Sequence, residues 1–271
     1  MTKGKGQPQA YGDESYWNER YSQDVGSFDW YQTYANMAPL INMYIPKSDN
    51  VLMVGCGNAV ISEEMINDGY ETITNIDISQ VVIDAMKEKY KNIPQLRYQR
   101  MDVRQLNYKA KEFDSVLDKG MLDSLMCGPS ASTNVASMIK EIYRVLKPGG
   151  VYMLITYGDP RVRVPHLKSD KVPWDIKLHA IPRPCSTKVH EPGTSRPITE
   201  PLPLGKDMTL GPTFNLEDPN LHFVYVCIKE GGVKFVAPPE VRHITSEDDS
   251  PRVVKKRLPE KRVPAKKPLK K

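Results

Sequence analysis

The stretch Val51–Ala59, VLMVGCGNA, decides the fold. Its apolar run Val51–Val54 enters Gly55-Cys56-Gly57, and Val60–Asp68 then reads as a helix with Gly69 as its end cap. A short buried strand that turns through glycines into a helix opens a βαβ unit, and the missing side chains let a ligand approach the backbone. A lone GxG also occurs as a plain structural turn. A dinucleotide fingerprint needs Gly or Ala at its sixth position for close helix–strand packing, and here that position is Val60. An amino-acid and nucleoside ligand without a pyrophosphate suits this loop better.

Downstream, strand and helix take turns. Thr72–Ile76 reads as a strand closing on Asp77, and Ser79 caps a helix through Lys89. Leu96–Met101 is a strand ending at Asp102, and Phe113–Leu117 one ending at Asp118. Thr133–Val145 is helical, Pro148-Gly149-Gly150 breaks it, and Val151–Tyr157 is a fifth strand. This alternation predicts a doubly wound parallel α/β sheet, whose ligands bind beyond the carboxyl ends of the strands. Trp174–Ile181 and His222–Lys229 alternate like half-buried strands and predict a C-terminal antiparallel β-hairpin. The Pro-rich stretch Pro182–Pro219 between them reads as a long mobile insertion. Upstream, apolar spacing predicts a helix over Trp30–Tyr44, stopped by Pro46.

Composition sets the limits of the folded part. Seventeen of the 23 prolines lie from Pro160 onward, which puts most of the core in the N-terminal two thirds. Residues 251–271 hold ten Lys or Arg against the single acid Glu260, or +9, so the net +5 leaves −4 on the remainder. The expected division is a flexible 1–14, a domain over 15–235 with the insertion at 182–219, and a disordered basic tail over 236–271. No apolar run approaches a membrane span, and the basic N-terminus lacks the apolar segment of a secretion signal. Cys56, Cys127, Cys185 and Cys227 show no CxxC spacing, so no metal or disulfide is expected, and the cytoplasm, with the nucleus as a second location, is the expected compartment.

The ligand candidates follow from the strand ends. Gly55 and Gly57 form the bare bend. Asp77 can accept both ribose hydroxyls, or serve as a turn aspartate. Asp102 can accept the amino hydrogens of adenine while Val103 offers its backbone, or again serve a turn. Asp118 and Asp123, beyond the fourth strand, are the acidic candidates for orienting an acceptor, with capping of the following helix as their alternative role.

These residues carry a family resemblance. Val51–Ala59, Ile76–Ser79 (IDIS), Met101–Leu106 (MDVRQL), Asp114–Leu125 (DSVLDKGMLDSL) and Leu146–Gly150 (LKPGG) resemble the class I S-adenosylmethionine-dependent methyltransferases related to the elongation factor 1-alpha lysine methyltransferases. Tyr16–Tyr21 (YWNERY) and Phe28–Tyr31 (FDWY) match the N-terminal signature of that family. The resemblance implies a Rossmann-like seven-stranded sheet with S-adenosylmethionine as cofactor. It implies cofactor contacts at Trp17, Tyr21, Trp30, Gly55, Asp77, Ile78, Asp102, Val103 and Lys119. The aromatic residues can meet a sulfonium by cation–π attraction, or merely pack a lid helix. Lys119 can meet the methionine carboxylate, or face solvent. Met53 stands where many methyltransferases place an acid for the methionine amino group, and Ala59 replaces a usual third glycine.

The leading expectation is a protein-lysine methyltransferase acting on a protein substrate such as a translation factor. The alternatives are a small-molecule N-methyltransferase and a non-catalytic module. In the latter, the basic tail grips acidic partners or nucleic acid; as a plain solubilising or nuclear-import tail it would do neither.

Overall fold

Along β1 (Asn50–Val54), Val51 and Met53 pack into one apolar cluster while Leu52 and Val54 pack into another. That alternation is the local cause of a two-faced sheet, since successive side chains of a strand point to opposite sides. In this computed structural model, the described residues are 11–24, 26–169, 171–184, 197–205 and 221–231. The chain divides into a compact unit, Met1–Ala237, and a second unit, Pro238–Lys271, which lies outside the described residues together with the expected basic tail.

The other strands are β2 (Thr72–Asp77), β3 (Leu96–Arg100), β4 (Phe113–Lys119), β5 (Leu146–Thr156), β6 (Trp174–Pro182) and β7 (Leu221–Lys229). They form one seven-stranded sheet in the order β3-β2-β1-β4-β5-β7-β6. The pairs from β3 through β5 are parallel, whereas β7 runs antiparallel to both β5 and β6. The inner strands are buried on both faces, and the edge strand β3 alternates buried and exposed positions, as its one-sided neighbourhood requires.

Helices α2 (Tyr34–Tyr44), α3 (Ile61–Asn67) and α4 (Gln80–Lys89) contribute to the first cluster; α5 (Met121–Met126), α6 (Ala131–Val145) and α7 (Pro160–Leu167) contribute to the second. Ser79 caps α4 as the sequence suggested, its Oγ accepting the Val82 N–H at 3.3 Å. On α6, Val135, Met138, Ile139, Ile142 and Val145 form a stripe at three- and four-residue spacing that is buried against β5 and its neighbours. No helix among the described residues is long and apolar enough to cross a membrane.

Several expectations need correction. The helix expected from Trp30 begins at Tyr34, because Tyr31 adopts φ +66°, outside helical space. Helix α7 escaped the sequence reading, and α5 entered it only as the helix that Asp118 or Asp123 caps, without bounds. Six residues are too few for a period to show, whereas α7 carried a start signal in Asp159-Pro160, a capping acid followed by proline at the first helical position. Within the expected mobile insertion, residues 197–205 pack on the sheet. Leu202 N–H donates to the Leu178 carbonyl at 2.7 Å and its side chain is buried. His179 Nδ1 donates to the Ile198 carbonyl at 2.9 Å, which leaves Nε2 to accept the Tyr44 hydroxyl at 2.9 Å. Pro182 ends β6, and the insertion outside 182–184 and 197–205 lies outside the described residues, as does most of the expected flexible N-terminus.

Candidate active site

The sheet order reverses between β1 and β4, with β2 on one side of the pair and β5 on the other. Connections leave in opposite directions at such a point, so a crevice opens at the carboxyl ends of the strands. A cavity of about 330 Å³ lies there. Trp17, Tyr21, Trp30, Gly55, Gly57, Asp77, Ile78, Asp102, Val103 and Lys119 all line it, so the residues singled out in sequence for a ligand are brought together.

The bend after β1 is bare of side chains for a physical reason. Gly55 and Gly57 have φ of +61° and +52°, a region other residues avoid. A Cβ at Gly55 would stand 2.6 Å from Met121 Sδ, and one at Gly57 would stand 2.7 Å from the Tyr21 hydroxyl oxygen. Met53 and Ala59 also line the cavity.

Asp77, at the end of β2, is buried and ties two elements together. Its Oδ2 accepts the Gly57 N–H at 3.0 Å and its Oδ1 accepts the Ser79 N–H at 2.9 Å. Burial pushes its carboxyl above the ordinary value, and the backbone donors of Ser79, Gly57 and Ile78 hold that rise back. These backbone donors leave lone-pair capacity on the carboxylate, which has about four acceptor sites. Asp102 is clasped by Arg104, whose Nε lies 2.9 and 3.0 Å from its two oxygens and whose Nη2 lies 2.6 Å from Oδ2. Burial works to raise the Asp102 carboxyl, but the Arg104 guanidinium prevails and holds it below the usual value. A base at this end therefore meets an Asp–Arg pair rather than a free carboxylate.

The aromatic wall comes from α1 (Glu14–Gln23) and the turn after it. Trp17 stacks on Tyr21 at 5.7 Å and 24°, and its Nε1 donates to the Tyr11 carbonyl at 2.8 Å. Trp30 meets Phe28 edge to face at 5.1 Å. Among the described residues, α1 has none that is fully buried. Its Trp17 and Tyr21 rings line the cavity, Tyr21 also packing against the first core cluster, and Ser79 Oγ anchors the helix by donating to Asn18 Oδ1 at 2.7 Å.

The structure orients the cofactor candidate Lys119 and the two acceptor candidates Asp118 and Asp123 in three different ways. Lys119 does not face solvent: it is buried, pairs with Asp29 Oδ1 at 3.1 Å and donates to the Trp30 carbonyl at 3.0 Å. Burial lowers its pKa and Asp29 opposes the drop. Asp118 is not at the cavity. It caps α5, with Oδ1 accepting the Met121 N–H at 2.8 Å and Oδ2 accepting the Leu122 N–H at 3.2 Å and the Tyr152 hydroxyl at 2.9 Å. Complete burial pushes its carboxyl up to about 7.

Asp123 does line the cavity, at the centre of a network missed in sequence. Its Oδ1 accepts Thr156 Oγ1 at 2.6 Å and Arg163 Nη2 at 2.5 Å; its Oδ2 accepts the Tyr31 hydroxyl at 2.8 Å. Asp29 and Tyr31 stood in the FDWY motif, but nothing local in the sequence pointed to their partners.

A parallel sheet reversed at this point, with a bare glycine bend and acids closing the neighbouring strands, defines a class I S-adenosylmethionine-dependent methyltransferase. Comparison with known proteins agrees. A family described as a methyltransferase domain matches residues 52–154. "EEF1A lysine methyltransferase 4" from Mus musculus is 33% identical over 177 residues, covering 62% of this chain and 69% of the relative. "eEF1A lysine and N-terminal methyltransferase" from Homo sapiens is 35% identical over 179 residues, 63% of this chain but only 25% of that longer protein. The crystal structure of a SAM-dependent methyltransferase from Methanosarcina mazei superposes with a TM-score of 0.51 at 18% identity, covering 76% of this chain and all of the other, a likeness of fold. The chain belongs to the class I S-adenosylmethionine-dependent methyltransferases, related to the eEF1A lysine methyltransferase family. It is an enzyme, and S-adenosylmethionine is its cofactor. The site fits that molecule: a glycine cradle that a Cβ would fill, carboxylates for a nucleoside, and rings for a cation.

Proposed function

We propose that this methyltransferase modifies a lysine side chain of a protein, with the translation factor eEF1A as acceptor. The observation that carries the reading is the similarity over 177 residues to a relative whose name gives that acceptor, reinforced by a second relative of different length that names the same one. An open mouth also suits a large substrate, since the exposed rings of Phe28 and Tyr157 stand at the cavity. Such an acceptor puts the reaction in the cytoplasm.

In this reading Asp77 takes the ribose hydroxyls on its remaining lone pairs, and the Asp102–Arg104 pair with Val103 borders the adenine. Gly55, Gly57 and Ile78 let backbone approach the cofactor. Trp17, Tyr21 and Trp30 surround the sulfonium, an attraction of about 0.5–2 kcal/mol. Lys119 acts by holding Asp29 and the Trp30 carbonyl, which keeps the aromatic turn closed over the site.

Bound S-adenosylmethionine supplies a methyl group already activated by its sulfonium. The chain's own task is then alignment and exclusion of water. A lysine amine with a pKa of ~10.4 is neutral in only about one molecule in a thousand near pH 7. The apolar mouth favours that neutral form. Asp118 takes no part, being turned to the α5 backbone.

The test is incubation of the purified protein with methyl-labelled cofactor and purified eEF1A, followed by desalting and peptide mapping. Label on a lysine of eEF1A is expected. With cell lysate in place of eEF1A, no labelled protein and label in solvent-extractable products other than the cofactor would transfer the reading to a small-molecule amine.

A further inference from the structure

Tyr31 holds a left-handed backbone conformation, φ +66°, which a bulky residue keeps only where its surroundings impose it. Two contacts impose it. The ring lies over Gly120, itself at φ +91°, where a Cβ would stand 3.1 Å from Tyr31 Cε2. The hydroxyl donates to Asp123 Oδ2 at 2.8 Å.

Asp123 is already engaged by other donors. Its side chain and that of Arg163 are both 4% exposed and form an ion pair at 2.5 Å; Thr156 Oγ1 donates to the same Oδ1 and the Tyr157 N–H reaches Oδ2 at 3.4 Å. Its charge is balanced and both oxygens are engaged. The Tyr31 oxygen differs: having donated its hydrogen, it still has lone pairs to accept with. Burial, then Asp123, hold the phenol far above its usual pKa, so it stays protonated and neutral. Tyr157 stands edge to face with Tyr31 at 6.2 Å, is 47% exposed, and shares the cavity wall with it.

We propose that Tyr31 seats the acceptor: its hydroxyl oxygen, aimed by donation to Asp123, accepts a hydrogen bond from an aliphatic amine entering beside Tyr157. The amine arrives neutral, having left its proton in water. Its lone pair forms the new N–C bond as the C–S bond breaks with its pair going to sulfur. The methylated nitrogen leaves as an ammonium and gives its proton to water. Tyr31 directs the lone pair, and Asp123 acts through Tyr31 as a positioning residue. This inference rests on an amine acceptor, as the preceding reading does, but not on which molecule bears it.

The test is calorimetry on the intact protein and on Tyr31→Phe with two probes. One is S-adenosylhomocysteine. The other is sinefungin, which carries an amine where the reactive methyl stands. Tyr31→Phe is expected to weaken sinefungin by roughly three- to tenfold, the worth of one hydrogen bond, while S-adenosylhomocysteine binds as before. Equal weakening of both probes would place Tyr31 in the nucleoside wall and overturn the inference; so would an unchanged ratio. With purified eEF1A, Tyr31→Phe is expected to lower kcat by about tenfold or more at constant KM, the pattern of an interaction made in the transition state. A shifted sinefungin ratio with eEF1A left unlabelled by the parent enzyme would retain the amine seat and reject the acceptor.

Discussion

The Asp77 carboxylate accepts the Gly57 N–H at 3.0 Å, so the acid that closes β2 is bonded to the glycine bend that follows β1. One side chain thereby fixes the position of two cofactor-facing elements. Asp77→Ala is expected to lower S-adenosylmethionine affinity about tenfold or more, since a charged acceptor is worth about 1.5–3 kcal/mol. Calorimetry reads it, and unchanged affinity would count against the nucleoside assignment.

The rings of α1 make a different claim, because they favour charge. Trp17→Ala is expected to weaken S-adenosylmethionine by roughly 2- to 30-fold. Neutral S-adenosylhomocysteine should lose far less. Parallel losses for both would reduce Trp17 to packing.

The Arg163–Asp123 pair is closed off from water, with both side chains 4% exposed. Removing one partner leaves the other charge buried, so Arg163→Met is expected to cost about 3–5 kcal/mol in urea unfolding. A change below ~1 kcal/mol would show that Asp123 finds another counter-charge.

Asp118 gives a pH signature. Its carboxyl rises from the ordinary 3.8 to about 7 on burial, so the folded protein holds that proton more tightly than the unfolded chain. Stability from this group is present below pH ~4 and is lost as pH climbs through about 7. Asp118→Asn is expected to flatten the unfolding free energy between those limits and to leave methyl transfer within about threefold, because the group faces α5 and not the cavity. An unaltered pH slope would refute this.

The basic stretch 251–271 is expected to be accessory to methyl transfer. Deleting it should leave labelling of eEF1A within about twofold at physiological salt. A large loss at low salt that shrinks as salt rises would instead mark the tail as a grip on an acidic acceptor.

Local patterns carried a long way here. Val51–Val54 with Gly55 and Gly57, the cap at Ser79, and the acids Asp77 and Asp102 are each written in a few consecutive residues, and parallel strand order forces such strand ends to one side of the sheet. The fold and the cofactor side of the cavity were therefore determined by the sequence. The acceptor side was not. Asp118 and Lys119 are neighbours on β4, and because successive side chains of a strand point to opposite faces, one meets Tyr152 while the other meets Asp29 at the cavity. Which face holds the ligand depends on what packs there from far along the chain. Lys119–Asp29 spans 90 residues and Tyr31–Asp123 spans 92. Only the tertiary structure decided those partners, because no short-range periodicity records a contact between segments that meet solely through folding.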